Sequence, residues 1–88
     1  MSTVGGQAGN LPDVEGRVQQ VVGENLRRVR VDLGYSQESF GQHVGWHRTF
    51  VGAVERGERN LTLRTVERIS EQLGVHPLEL LWDRDGVT

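Results

Sequence analysis

The chain has 88 residues and no cysteine, which excludes a disulfide framework and any cysteine-ligated metal site. Its net charge of −2 is less basic than that of many nucleic-acid-binding proteins. No apolar run approaches the roughly 18 residues of a membrane span, and no basic-then-apolar signal segment opens the chain. We therefore expect one small, soluble intracellular domain, which would be marginal as a monomer and would gain stability by association.

The N-terminal part of the chain divides into a tail and a long helix. Residues 1–12 are small, polar and glycine-rich, which predicts a disordered tail before a folded domain at 13–84. Pro12 is suited to a helix start, and the glycines at 16 and 23 should each weaken that helix by roughly 1 kcal/mol before Gly34 ends it. The apolar residues of this helix recur at three- and four-residue steps; they are Val14, Val18, Val21, Val22, Leu26, Val29 and Leu33.

Two short helical patterns with a glycine between them occupy residues 36–57. Ser36 is a favourable N-cap for the first helix, and Gly45 stands where the turn needs a positive φ. The second helix ends at Gly57. The inward apolar positions of the pair are Phe40, Val44, Val51 and Val54. Two helices joined by a short glycine turn form a helix-turn-helix unit, whose second helix enters the DNA major groove.

Two further helices complete an all-α domain of five helices. Thr62 caps the fourth helix, Gly74 ends it, and Pro77 opens a short fifth helix. The inward stripe predicted for the fourth helix is Leu63, Val66, Ile69 and Leu73.

These residues resemble the Cro/C1-type, XRE-like helix-turn-helix regulators, which have the fold of lambda and other phage repressors. The resemblance rests on SQE at 36–38, Gly45, ERG at 55–57 and LGV at 73–75, and it covers residues 23–81. The run HRTFV at 47–51, followed by ERGERN, is most similar to the controller proteins of restriction–modification systems. The resemblance implies a sequence-specific transcriptional regulator, encoded by a bacterium or phage and acting in the cytoplasm.

The second helix of the unit, at about 47–56, should carry the residues that read DNA. Arg48 can donate two hydrogen bonds to guanine O6 and N7, and Thr49 can meet a thymine methyl or donate one hydrogen bond. Gly52 and Ala53 take the next outward positions, where neither offers a side-chain hydrogen bond. The alternative for Arg48 is a contact to phosphate alone.

Phosphate contacts should flank this helix. Gln37 matches a family position that hydrogen-bonds the DNA backbone, and Arg59 and Asn60 match a second such position after ERG. His47 and Arg56 are weaker candidates, and the alternative for all five is a solvated surface side chain. His47 also replaces the family's common serine cap, so the second helix is expected to start less firmly.

The resemblance also implies structural roles inside the unit. Arg30 and Glu55 stand where related phage repressors have an internal ion pair, so we predict direct contact between them. Trp46 is expected to pack in the turn rather than stack on DNA. Gly41 replaces the family's usual alanine and should bring the two helices of the unit close together.

The C-terminal end is more apolar than a monomer requires. Similar regulators pair through their fourth and fifth helices, which favours a twofold homodimer here, with simple core closure as the alternative. The predicted interface residues are Val75, Leu78, Leu81 and Trp82. Such a dimer would place two reading helices ~34 Å apart on a pseudo-palindrome of double-stranded DNA.

Other classes of function have weaker support. The acidic balance and long N-terminal segment leave one alternative, an antitoxin or anti-repressor-like module that binds a protein partner. No Ser/His/Asp set, P-loop or paired carboxylates indicate an enzyme, and no cofactor is expected. His43 and His47 are four residues apart across a turn, without a third ligand nearby, so no metal site is predicted.

Overall fold

The computed structural model describes residues 16–84, and the elements within that range are five α-helices without a β-strand. They are α1 (Arg17–Asp32), α2 (Gln37–Val44), α3 (Arg48–Glu55), α4 (Leu63–Leu73) and α5 (Pro77–Leu81). The predicted tail at 1–12 and the predicted helix start at Pro12 lie outside the described residues. Between residues 16 and 84 the five-helix prediction is confirmed.

The helix starts follow local chemistry that the sequence shows. Ser36 Oγ accepts a hydrogen bond from the Ser39 N–H at 3.0 Å, while Ser39 Oγ accepts one from the Ser36 N–H at 2.9 Å. This reciprocal pair satisfies two backbone donors at the start of α2. Thr62 Oγ1 accepts from the Thr65 N–H at 3.0 Å, so the predicted cap of α4 is also confirmed.

One core joins all five helices. Its buried members are Leu26, Phe40, Val44, Val51, Val54, Val66, Ile69, Leu73 and Leu80. Three predicted inward residues are wrong: Leu63 is 70% exposed, Val18 is 61% exposed and Leu33 is 50% exposed. Each lies at an end of its helix, where the helical period continues but the neighbouring helices no longer cover the side chain.

Two glycines set how closely the helices approach. A Cβ added to Gly23 on α1 would collide with the backbone carbonyl oxygens of Val54 and Glu55 at the end of α3. A Cβ on Gly41 would collide with the carbonyl oxygen of Trp46 in the turn. Gly41 therefore brings the two helices of the unit together as expected, and the helix-weakening Gly23 has a packing reason that the sequence pattern does not reveal.

The short α5 is held against α1 by polar contacts. The buried Asn25 side chain donates from Nδ2 to the carbonyl oxygens of Leu80 at 3.0 Å and Trp82 at 2.8 Å. Arg17 donates to both carboxylate oxygens of Asp83. The two Asn25 bonds satisfy carbonyl groups that a five-residue helix leaves open at its C-terminal end, and the Arg17–Asp83 pair adds a link between the start of α1 and the residues after α5.

Of the helices between residues 16 and 84, none combines the length and apolar character needed to cross a membrane.

Candidate nucleic-acid interface

The start of α3 is fixed by a histidine. His47 Nδ1 accepts a hydrogen bond from the Thr49 N–H at 3.1 Å and lies 2.8 Å from Thr49 Oγ1. The helix is therefore capped without serine, because the imidazole nitrogen supplies the acceptor that serine would otherwise provide; that the start is less firm than with serine stays a prediction. Since Nδ1 accepts from the backbone, the Thr49 hydroxyl donates to it, and Thr49 keeps its methyl and oxygen lone pairs for a partner.

Arg48 is the first residue of α3 and is exposed. Its guanidinium makes no hydrogen bond or ion pair to any residue between 16 and 84. Together with Trp46 and His47 it lines a shallow cleft against Glu38 and Gln42 of α2. The exposed start of α3 therefore presents an unengaged cation next to an anchored hydroxyl.

The next turn of α3 differs from expectation. Gly52, expected on the outward face, is buried, and Ala53 is half-buried. A Cβ at Gly52 would lie 3.1 Å from Arg56 Nη1 and 3.5 Å from Gln37 Nε2. These two flexible side chains therefore cover the helix at the position where residue 52 has none.

A buried ion pair lies behind this surface. Arg30 Nε lies 2.5 Å from Glu55 Oε2, and Arg30 Nη2 donates to Glu55 Oε1 at 3.2 Å. Arg30 Nη1 also donates to the Tyr35 carbonyl at 2.9 Å, which connects the end of α1 to the start of α2. The structure thus brings together the pair that the resemblance implies.

Gln37, the first residue of α2, joins this network. Its Nε2 donates to Glu55 Oε1 at 3.1 Å, although the residue is exposed. The predicted phosphate contact is therefore turned toward α3 in the free chain. A DNA phosphate would have to draw this amide away from Glu55 or bind at the free N–H groups of the α2 N-terminus.

An ion pair also occupies Arg56, the residue that caps α3 at its C-terminus. Arg56 Nε and Nη2 donate to the two carboxylate oxygens of Glu58 at 3.0 and 3.2 Å, and both side chains are well exposed. The hydrogen bond to Glu58, followed by its charge, raises the pKa of Arg56. The hydrogen bond from Arg56 lowers the pKa of Glu58, against a smaller opposing effect of desolvation. Glu58 was not predicted to take part in this surface, although it follows Arg56 by only two residues.

Aromatic packing positions the loop after α3. The Trp46 and Phe50 rings meet edge to face, with centroids 4.9 Å apart at 75°, so Trp46 packs in the turn as expected. The Arg59 guanidinium lies 5.5 Å from the centroid of the Phe50 ring, within range of a cation–π contact. Asn60, the next predicted phosphate contact, is exposed.

The two histidines around the turn are engaged separately. His43 Nε2 lies 2.9 Å from the Gln72 carbonyl oxygen, and its ring stacks on Tyr35 at 5.2 Å. His47 caps α3, as described above. Among residues 16–84, no group of three or more His, Cys, Asp or Glu side chains is placed to hold a metal ion.

The predicted dimer residues divide into two kinds. Leu78 and Trp82 are 63% and 62% exposed, and they line one depression beside His76. Val75 is half-buried and packs against the core, while the half-buried Leu81 faces a separate groove beside α1. Leu78 and Trp82 are therefore the apolar residues of this set that lie most open to a partner.

Comparison with known proteins gives matches across most of the chain. The helix-turn-helix family profile matches residues 26–80. A Neisseria meningitidis protein described as a hypothetical transcription factor is 41% identical over 71 residues, which span 81% of this chain and 66% of that relative. The control protein C.BamHI of Bacillus amyloliquefaciens is 37% identical over 65 residues, which span 73% of this chain and 80% of that protein.

Solved structures agree with these matches. The crystal structure of the restriction–modification controller protein C.AhdI from Aeromonas hydrophila superposes with a TM-score of 0.68 at 34% identity. The superposition covers 76% of this chain and 97% of that one.

Proposed function

Because this chain belongs to the helix-turn-helix family of DNA-binding transcriptional regulators, we propose that it binds a specific pseudo-palindromic operator as a homodimer and thereby controls transcription. One observation carries the proposal. The α3 helix begins with an unengaged arginine and an anchored threonine, on a frame that the rest of the unit fixes. Such a regulator would act in the cytoplasm, where bacterial DNA lies.

Direct reading of bases comes from the first turn of α3. Arg48 has five N–H donors and no internal partner among the described residues, so it can bind guanine O6 and N7 at the cost of few existing contacts. Thr49 presents its methyl to thymine, since its hydroxyl hydrogen is used by His47. Ala53 can add an apolar contact, whereas Gly52 contributes only backbone beneath Gln37.

Phosphates are held on both sides of this turn. Gln37 and the α2 N-terminus lie on one side, with Arg59 and Asn60 in the loop on the other. His47 can donate from Nε2, because its Nδ1 is occupied as an acceptor. Arg56 contributes only if it leaves Glu58. These groups set the register of α3 in the groove and carry no sequence information of their own.

A second copy supplies the rest of the specificity. One reading helix offers only Arg48 and Thr49 for side-chain hydrogen bonding or methyl contact. These are few base contacts with which to specify one operator. Pairing of two copies through Leu78 and Trp82 would cover exposed apolar surface and place two such helices ~34 Å apart. The similarity to restriction–modification controllers points to the promoter region upstream of the chain's own gene as the first operator to test.

An electrophoretic shift assay tests the proposal with two probes, a duplex from that upstream region and a mixed-sequence duplex of equal length. Wild type should prefer the first, and Arg48→Ala should reduce affinity for it by at least about tenfold, because each good base contact contributes ~1–3 kcal/mol. Replacing a contacted thymine with deoxyuridine removes the thymine methyl and should lower the affinity of wild type. Thr49→Ala should make this loss of affinity smaller.

Arg64→Ala is the control, since Arg64 is an exposed arginine on α4, a different helix from the one expected to read bases. Equal affinity of wild type and Arg48→Ala for the upstream duplex would refute the reading assignment. Absence of any DNA binding, with capture of a protein partner, would favour the antitoxin-like alternative instead.

A further inference from the structure

In this structure, the edge of the Arg56 guanidinium that would bind a DNA phosphate is already hydrogen-bonded to a carboxylate. The two donors facing Glu58 are Nε and Nη2, which lie side by side on one edge of the guanidinium. Two parallel N–H donors of this kind can form bidentate hydrogen bonds to a carboxylate or a phosphate. The Glu58 carboxylate therefore occupies the place that a DNA phosphate would take.

The pair also lies on the surface expected to face DNA. Arg56 Nη1 is 3.1 Å from the Cβ position of Gly52 on α3, beside the Gln37 amide. One end of the guanidinium thus lies over the reading helix, while the side chain as a whole stays well exposed. A negative charge at Glu58 consequently stands next to the predicted phosphate contacts.

We propose that Glu58 competes with DNA phosphate for Arg56 and thereby lowers the sequence-independent part of DNA affinity. This inference rests on the proposed function, since it concerns the same DNA-binding surface. Docked DNA exchanges the Arg56–Glu58 contact for an Arg56–phosphate contact and leaves the Glu58 carboxylate near the duplex. Loosely held DNA gains little from Arg56, because that cation is neutralised within the chain.

The exchange is physically accessible. An ion pair between exposed side chains contributes little to stability and is screened by salt, so a phosphate can displace it. An exposed glutamate is ionised at neutral pH, and the hydrogen bond from Arg56 lowers the pKa of Glu58 further, so the competitor carries its charge there. When Arg56 is already paired with a carboxylate, binding of the protein to DNA releases fewer of the cations condensed on the DNA. The salt dependence of binding should therefore be smaller.

The test measures affinity of the full chain for a mixed-sequence duplex by fluorescence anisotropy across a series of salt concentrations. Glu58→Gln should raise affinity about three- to tenfold near 0.1 M salt and steepen the slope of log affinity against log salt by about 0.9, the value of one added phosphate contact. Glu67→Gln is the matched control, because it makes the same change in net charge at an exposed site on α4.

A double-mutant cycle separates competition from a general charge effect. The gain in affinity that Glu58→Gln produces in wild type should be mostly absent in an Arg56→Gln background, so that the effects of the two substitutions do not add. If Glu58→Gln matches Glu67→Gln, or binds DNA more weakly than wild type, the inference is overturned while the proposed function stands. If wild type binds no duplex even at low salt, both the inference and the proposed function are refuted.

Discussion

In the α2–α3 unit the buried polar groups find partners inside the chain, whereas the region of α5 leaves large apolar side chains exposed to water. Arg30, Glu55 and Gln37 share one hydrogen-bonded network, and no buried side-chain nitrogen or oxygen among residues 16–84 lacks a partner. By contrast, Leu78 of α5 and Trp82, the residue directly after α5, remain more than half exposed. The reading unit is thus completed by its own sequence, and the C-terminal face is open to a partner.

This difference separates two requirements of a small regulator. A reading helix must keep its position before DNA arrives, so internal contacts hold it and few outward side chains remain to be ordered. A dimer surface must stay accessible in the monomer and lose its apolar exposure on pairing. Three substitutions test whether stability and association are divided between the two regions in this way.

The largest expected effect is on the buried pair. Glu55→Gln leaves the Arg30 charge without its counterion in a buried site, so the free energy of unfolding should fall by ~3–5 kcal/mol. Urea denaturation followed by circular dichroism measures it, with the exposed Glu71→Gln as control. A loss below ~1 kcal/mol would mean that the pair does not hold the unit together.

The second effect should fall on association and spare the fold. Leu78→Asp places a charge on the exposed C-terminal face, and the dimer dissociation constant should rise at least ~30-fold, as expected for an interface residue contributing ~2 kcal/mol. Sedimentation equilibrium measures it. Val31→Asp is the control, because Val31 is an apolar residue of α1 that is 53% exposed and lies outside the predicted interface. An unchanged, folded dimer in Leu78→Asp would place the interface elsewhere.

The smallest effect concerns the histidine cap. His47→Ala removes the acceptor for the Thr49 N–H and should lower the free energy of unfolding by ~1 kcal/mol. His47→Asn should restore most of this loss, since an asparagine oxygen can cap the same N–H. If alanine and asparagine give equal stability by thermal denaturation, the α3 start depends on packing around Trp46 instead.

Local signals in the sequence carried most of the fold. Ser36, Gly45 and Thr62 act through neighbours within a few residues, so their roles were predictable from spacing alone. Leu63, predicted as core and found exposed, shows the limit of helical period, which gives the direction of a side chain and not whether another helix covers it. The buried Leu80 was missed for a different reason, because a five-residue helix is too short for its period to show which leucine faces inward.

The site was predictable only where a family pattern supplied long-range information. Arg30 and Glu55 are 25 residues apart, and their contact followed from the resemblance rather than from composition. Asn25, which holds the end of α5 from 55 residues away, has no local signal. The His47 cap and the Arg56–Glu58 pair depend on rotamers that one sequence does not specify.

Gly52 is a position at which the surface of the reading helix can be engineered. A Cβ at position 52 would meet the ends of the flexible Arg56 and Gln37 side chains, whereas a Cβ at Gly23 would strike backbone. A library randomised at position 52 would therefore add a side chain to the reading helix by displacing Arg56 and Gln37, including the Gln37–Glu55 hydrogen bond, and not by moving the backbone. We expect selection from such a library to yield altered DNA preferences.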